Sequence, residues 1–204
     1  MKPIFNLILD FLFPPLCLSC SEKVETKFLC PACWELCALP DPIERCRHCF
    51  EELEEGRGMC GECMKEPLIK TPRAFVFDRG APIRFKVDQL EGFAAFMIYQ
   101  WIQLDLTLPD WVIPMPDPIS KKLAKEIAKS LSVRYGELLQ EKGGEIKLRK
   151  ELEEDLDLLL IDYLSPLSWL DGASSAISVL MPKRALLLSL FRNTSSQPAC
   201  PINS

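Results

Sequence analysis

The sequence predicts an α/β protein in two unequal parts: a small cysteine-rich, metal-stapled module, then a parallel sheet flanked by helices. Three observations carry that expectation. Nine of the ten cysteines fall between Cys17 and Cys63. Beyond about residue 70, short apolar runs alternate with segments of helical period. At 204 residues, 48% hydrophobic and 26% charged, the chain can bury a real core, which excludes intrinsic disorder and a coiled-coil rod. A net charge of −5 argues against a whole-surface attraction for nucleic acid or acidic membrane, so any such contact has to be local.

The chain opens on an apolar run, Met1 to Pro15, broken by Asp10 and ended by Pro14 and Pro15. It has no small-residue cleavage site before Cys17 and is too short to cross a bilayer, so a docked apolar helix is expected rather than a leader. Cys17-x-x-Cys20 and Cys30-x-x-Cys33 lie nine residues apart, and Cys46-x-x-Cys49 and Cys60-x-x-Cys63 lie ten apart. Two residues between cysteines let a tight turn aim both sulfurs at one ion, and two such turns complete a tetrahedron. Thiolates suit a borderline-soft cation, and four of them close its shell, so the pattern predicts two structural zinc ions. Each ion contributes on the order of 10 kcal/mol of folding energy to so small a segment. Sequential pairing is the expectation, although spacing alone leaves a crossed arrangement open. His48, the only histidine, reads as an exposed knuckle residue beside a complete set of thiolates; Cys37 and Cys200 read as ordinary thiols. Reduced thiols place the expected compartment in the cytoplasm.

The second part divides into alternating elements. Ala74–Phe77 is a strand, Ile83–Gln103 a long apolar helix containing Gly92, and Trp111–Met115 a buried strand closed by Pro116-Asp117-Pro118. Ile119, Leu123, Ile127 and Leu131 recur every fourth residue, the stripe of an amphipathic helix capped by Asp117 or Ser120. Lys121, Lys122, Lys125 and Lys129 lie off that stripe beside Glu126 and Glu137 and read as a solvated face rather than a DNA track. Asp157–Asp162 is an apolar run ending in an acid, the pattern of a strand buried on both faces. Leu170–Leu180 is a further helix and Arg184–Phe191 the last strand. The expected divisions are residues 1–70, 71–192 and a loose tail at 193–204.

Taken together, the paired ribbons with Leu29-Cys-Pro-Ala-Cys33, the strand-turn Val112-Ile-Pro-Met-Pro116 and the segment Leu158-Leu-Leu-Ile-Asp162 resemble the ComF family of competence-associated, phosphoribosyltransferase-like proteins. The resemblance implies a type I phosphoribosyltransferase fold in the second part, a protein partner in a DNA-uptake apparatus and a role in uptake of transforming DNA. It also implies a site for phosphoribosyl pyrophosphate with Mg2+ at the end of the acidic strand, where Asp162 fits the first of two acids and Tyr163 stands in place of the second. The 5′-phosphate cradle that the resemblance implies falls on Gly172, Ala173, Ser174 and Ser175. The loop before it, Leu164 to Asp171, is longer than the family's and carries Pro166, which lacks an N–H, and Asp171, which repels a phosphate. These departures lead to an expectation of a binding protein with an eroded catalytic pocket. The alternatives are a live phosphoribosyltransferase and a zinc-ribbon binder of single-stranded nucleic acid. Asp162 also reads as a strand-end acid that caps a neighbouring element.

Overall fold

The computed structural model describes residues 16–17, 19–24, 29–36, 39–53, 58–65, 71–77, 90–150, 152 and 155–192. The expectations for the N-terminal apolar helix, Cys37, Cys200 and the tail lie outside them, as do residues 83–89 of the long helix.

Five parallel strands form the sheet: β1 (Arg73–Phe77), β2 (Trp111–Pro114), β3 (Arg134–Tyr135), β6 (Asp157–Asp162) and β7 (Arg184–Phe191), in the order β1-β7-β6-β2-β3. The register of the central pair runs from Asp157 opposite Arg184 to Asp162 opposite Ser189. Between β3 and β6 the chain makes an antiparallel hairpin, β4 (Leu139–Lys142) and β5 (Glu145–Leu148). Its two-residue turn is Gly143-Gly144, both at positive φ, the conformation a tight hairpin requires. Neither this hairpin nor β3 is among the elements expected from the sequence.

Helices cover both faces. On one, α3 (Leu90–Gln103) and α4 (Pro118–Leu131) pack side by side, with Phe93, Met97, Leu123 and Ile127 inaccessible or nearly so against Phe77, Val112 and Leu159. Gly92 is buried within α3 and does not interrupt it. On the other face, α5 (Leu167–Ser178) lays Leu170, Ala173 and Ile177 on Ile113, Leu160 and Leu187, with Ile146 of the hairpin completing the cover. Asp117 is the cap of α4: its Oδ1 accepts from the N–H groups of Ile119 and Ser120 at 3.0 and 2.8 Å. Ser120 has a different task. Its buried hydroxyl accepts from the Tyr163 N–H at 2.8 Å and ties α4 to the end of β6.

The chain direction creates a switch point. From β2 it crosses by α4 to β3 at one edge, whereas from β6 it crosses by α5, on the opposite face, to β7. The two neighbouring strands therefore lead away from each other at their carboxyl ends, where open α/β sheets characteristically hold ligands.

The cysteine-rich module shares the α3/α4 face. Cys17, Leu29, Cys30, Cys33 and Phe50 belong to the same apolar cluster as Phe75, Phe77 and Phe96. Trp34 stacks on Phe96 with ring centroids 5.6 Å apart, and Phe50 meets Phe75 edge-on at 5.1 Å. The Arg73 N–H donates to the His48 carbonyl at 2.9 Å, and the buried Gln100 amide donates to the Pro40 carbonyl at 3.1 Å. No helix among the described residues is long and apolar enough to cross a membrane.

Candidate metal centres and strand-end site

The module repeats one local construction. In each half a knuckle ends in a residue at positive φ, Ser21 (64°) or Phe50 (62°), whose N–H returns to the carbonyl of the first cysteine, Cys17 or Cys46, at 3.1 or 2.9 Å. That cysteine's own N–H donates forward to Glu22 or Glu51. The third cysteine of each set opens a short helix, α1 (Pro31–Leu36) or α2 (Gly61–Lys65), which presents the fourth. The turn and the helix start are short-range devices, which is why two-residue spacing suffices to encode them.

Both sets of four converge. The Sγ atoms of Cys17, Cys20, Cys30 and Cys33 lie within 4.8 Å of one another, as do those of Cys46, Cys49, Cys60 and Cys63. Pairing is therefore sequential. Cys20 and Cys30 sulfurs are 3.7 Å apart, and so are those of Cys49 and Cys60. A disulfide needs about 2.05 Å, and all eight thiols are free. By contrast, sulfurs held about 2.3 Å from a central zinc in a tetrahedron stand about 3.8 Å apart, which the observed pairs match. The two sites fit two structural zinc ions, and His48 belongs to neither set.

The electrostatics suit a dication. Burial opposes ionisation of Cys17, yet backbone N–H groups of Cys30, Cys20 and Ser19 bring its thiol down to about 6; in Cys46 the N–H groups of Cys49, Cys60 and His48 do the same against burial, also to about 6. The Cys30 N–H lies 3.3 Å from Cys17 Sγ and the Cys60 N–H 3.2 Å from Cys46 Sγ. Burial and neighbouring thiols push Cys49 up to about 11 and Cys63 higher still. Cys17 and Cys46 thus ionise readily, whereas Cys49 and Cys63 need the metal's charge to do so, and loading therefore releases protons.

At the switch point, Asp162 and Asp117 stand at the carboxyl ends of adjacent strands. Asp162 is fully buried; its Oδ1 accepts from the Ser165 N–H at 3.0 Å, whereas its Oδ2 has no hydrogen-bond partner. The Asp117 Oδ2 is likewise buried and unpartnered. Burial, aided by the charge of Asp117, pushes the Asp162 carboxyl up to about 6, against hydrogen bonds from Ser165 and Ser189. Asp117 was legible in the sequence only as a helix cap. Its place after the strand end of Val112–Pro114, matching Asp162 after Leu158–Ile161, is the signal that would have paired them.

The expected phosphate cradle does not lie at this end. Gly172, Ala173, Ser174 and Ser175 sit in the middle of α5, which begins at Leu167 rather than at Leu170. There the backbone N–H groups serve the helix itself. Ala173 and Ser174 are inaccessible, the Ser174 hydroxyl accepts from the Thr71 N–H at 2.7 Å, and a side chain on Gly172 would meet Ile146 at 3.4 Å. Gly172 faces the hairpin, Ala173 and Ser174 face the sheet and Ser175 is exposed, so mid-helix the four do not form a 5′-phosphate cradle. In the loop that does face the strand end, the Tyr163 and Ser165 N–H groups are committed to Ser120 and Asp162, and Pro166 has none to give.

The lysine face of α4 is partly neutralised. Lys121 pairs with Glu137 at 2.9 Å, Lys125 lies over the Tyr135 ring at 5.5 Å, and Lys129 approaches Glu126 at 3.9 Å.

A family model for the double zinc ribbon domain matches residues 8–64. The N-terminal region is thus a double zinc ribbon with two four-cysteine sites, a class of module that binds nucleic acid or protein. No curated protein matches the chain at a significant level.

Proposed function

We propose that this is a ComF-like protein associated with DNA uptake, acting mainly by binding: the double ribbon is a rigid contact surface and the α/β part a phosphoribosyltransferase-like scaffold. The observation that carries the reading is the double ribbon set directly on a parallel sheet through one continuous apolar cluster, which joins the two parts as a single binding body. Its partner is a protein of the DNA-uptake apparatus, with single-stranded DNA as a secondary ligand, and its compartment is the cytoplasm. Binding rather than turnover is supported by the strand-end loop, whose N–H groups of Tyr163 and Ser165 are consumed internally.

Disrupting the gene in a naturally competent host is expected to lower uptake of transforming DNA, and an unchanged transformation frequency would count against the reading. Titrating zinc-loaded protein with phosphoribosyl pyrophosphate and Mg2+ in a calorimeter is expected to give no heat of binding. A tight, Mg-dependent response would favour the second reading, a live phosphoribosyltransferase, for which the unpartnered Oδ2 atoms of Asp117 and Asp162 at the switch point are the specific support.

A further inference from the structure

Opposite the strand-end acids, the amino ends of β1, β6 and β7 face the second ribbon across a cavity of about 690 Å3, the size range of small-molecule sites. Its wall from the end of α3 and the α3–β2 connection carries the apolar Trp101, Leu104 and Leu106 between Gln103, Asp105 and Thr107. Its charge is not that of the molecule as a whole. Four arginines, Arg45, Arg47, Arg73 and Arg184, are among its lining residues with two acids, Asp105 and Asp157, a surplus of two positive charges in a chain of net charge −5. Arg184 is engaged, bound to both oxygens of Asp157 at 2.9 and 2.7 Å and to Thr107. Arg45 is 9% exposed and held fixed, its guanidinium over the rings of Phe50 and Phe75 at 5.9 and 5.5 Å and donating to the Phe50 carbonyl at 3.5 Å. Arg47, exposed in the second knuckle, and Arg73, half-buried at the start of β1, form no ion pair with a carboxylate among the described residues.

We propose that this cleft binds a phosphate monoester of about mononucleotide size, the dianion between Arg47 and Arg73 with Arg45 behind them, the body of the ligand against the Trp101 wall. A dianion matches the surplus charge, and planar forked donors are the groups that hold a phosphate through paired hydrogen bonds. The cleft exists only when the second ribbon is folded on the sheet, because Arg45, Arg47 and Phe50 come from one side and Arg73 and Arg184 from the other. A ligand seated there clamps the two together. The proposal does not depend on the DNA-uptake reading and concerns the opposite edge of the sheet from Asp162.

The test is calorimetry on the zinc-loaded full chain with adenosine 5′-monophosphate, with adenosine as the probe lacking the phosphate. The monophosphate is expected to bind at least about tenfold more tightly than adenosine, as loss of a charge-assisted phosphate contact implies. The double variant R47A/R73A, checked to retain two zinc per chain, is expected to erase that difference, and R47K/R73K to restore part of it. A 5′-phosphorylated dinucleotide distinguishes a strand end from a free nucleotide: tighter binding than the monophosphate assigns the site to a strand end, weaker binding to a free nucleotide. Photolabelling with 8-azido-adenosine monophosphate is expected to mark residues 42–50 or 101–109. No binding, equal affinity for adenosine and its phosphate, an unaltered affinity in R47A/R73A, or label confined to 114–120 and 162–167 would each overturn the proposal.

Discussion

Burial holds the Asp162 carboxyl up at about 6, whereas in the unfolded chain it titrates near 4, so between those values the folded state keeps a proton that the unfolded state has lost. The sign follows: this group favours folding below about pH 4, and its contribution falls away as pH rises through 6, a swing of up to about 3 kcal/mol. Asp162→Asn keeps an acceptor for the Ser165 N–H and removes the charge. Denaturant titrations are expected to find the variant close to the parent at pH 4 and gaining on it by about 2 kcal/mol at pH 7; a pH-independent difference would mean the carboxyl is not held up. The strand-end position of this residue was legible because a run of four apolar residues closed by an acid is a local pattern. The cysteine ligands were legible for the same reason, since each turn is built from cysteines with two residues between them. The expectation for Gly172–Ser175 depended on where a helix starts. Pro166, at φ −54°, and the Asp162–Ser165 contact close the preceding turn early and draw the helix start forward to Leu167.

Elements set by side-chain period came through nearly intact: β6 and β7 have the expected bounds, and α4 begins one residue before its expected apolar stripe. Elements set by pairing did not. The hairpin reads as a mixed-charge stretch because Glu141, Lys142, Glu145 and Lys147 keep polar side chains exposed, and only Leu139 and Ile146 are buried. Its sole strong signal was the Gly143-Gly144 turn. Two end-of-element residues give direct tests. Ser132 closes α4 in the left-handed region at φ 56° while its N–H reaches the Ala128 and Lys129 carbonyls. Glycine adopts that conformation without steric cost, so Ser132→Gly is expected to raise stability by up to about 1 kcal/mol, read as a higher unfolding midpoint. Gly136, just after β3, has the opposite character. A Cβ there would stand 2.7 Å from Trp111 Cζ3. That ring carries the Arg134 guanidinium 4.9 Å from its centroid, so Gly136→Ala has to displace both. A loss of about 1–3 kcal/mol is expected, with a shift in tryptophan fluorescence as its signature.

At the level of the whole molecule, the ribbons and the sheet are chemically independent but physically joined. The second ribbon's own buried cluster is little more than its cysteines, whereas the first ribbon's cysteines are buried together with the sheet; the opposite face of the sheet is packed without any ribbon residue. The interface between them is apolar and aromatic, Phe50 on Phe75 and Trp34 on Phe96, fastened at the far end by the Arg192–Glu51 ion pair. Losing one zinc should therefore act twice. Cys60→Ser is expected to lower metal content from two ions per chain to one and to unfold the second ribbon, which uncovers Phe75. Uncovering a buried phenylalanine costs about 1.5–3 kcal/mol. For a domain of this size that corresponds to a fall of roughly 5–10 °C in the midpoint of the sheet, with its strands and helices still present below it. Cys17→Ser, in the other ribbon, should empty the first site and leave the Phe50–Phe75 contact intact, but it frees Trp34 from the buried Phe96, so the sheet is expected to fall by a comparable amount. Metal analysis and thermal unfolding by circular dichroism on the two variants read both effects from one sample each. Equal midpoints in the parent and in Cys60→Ser would mean that the second ribbon adds nothing to the sheet. Loss of all secondary structure in Cys60→Ser would mean that the sheet cannot stand without the metal-held module.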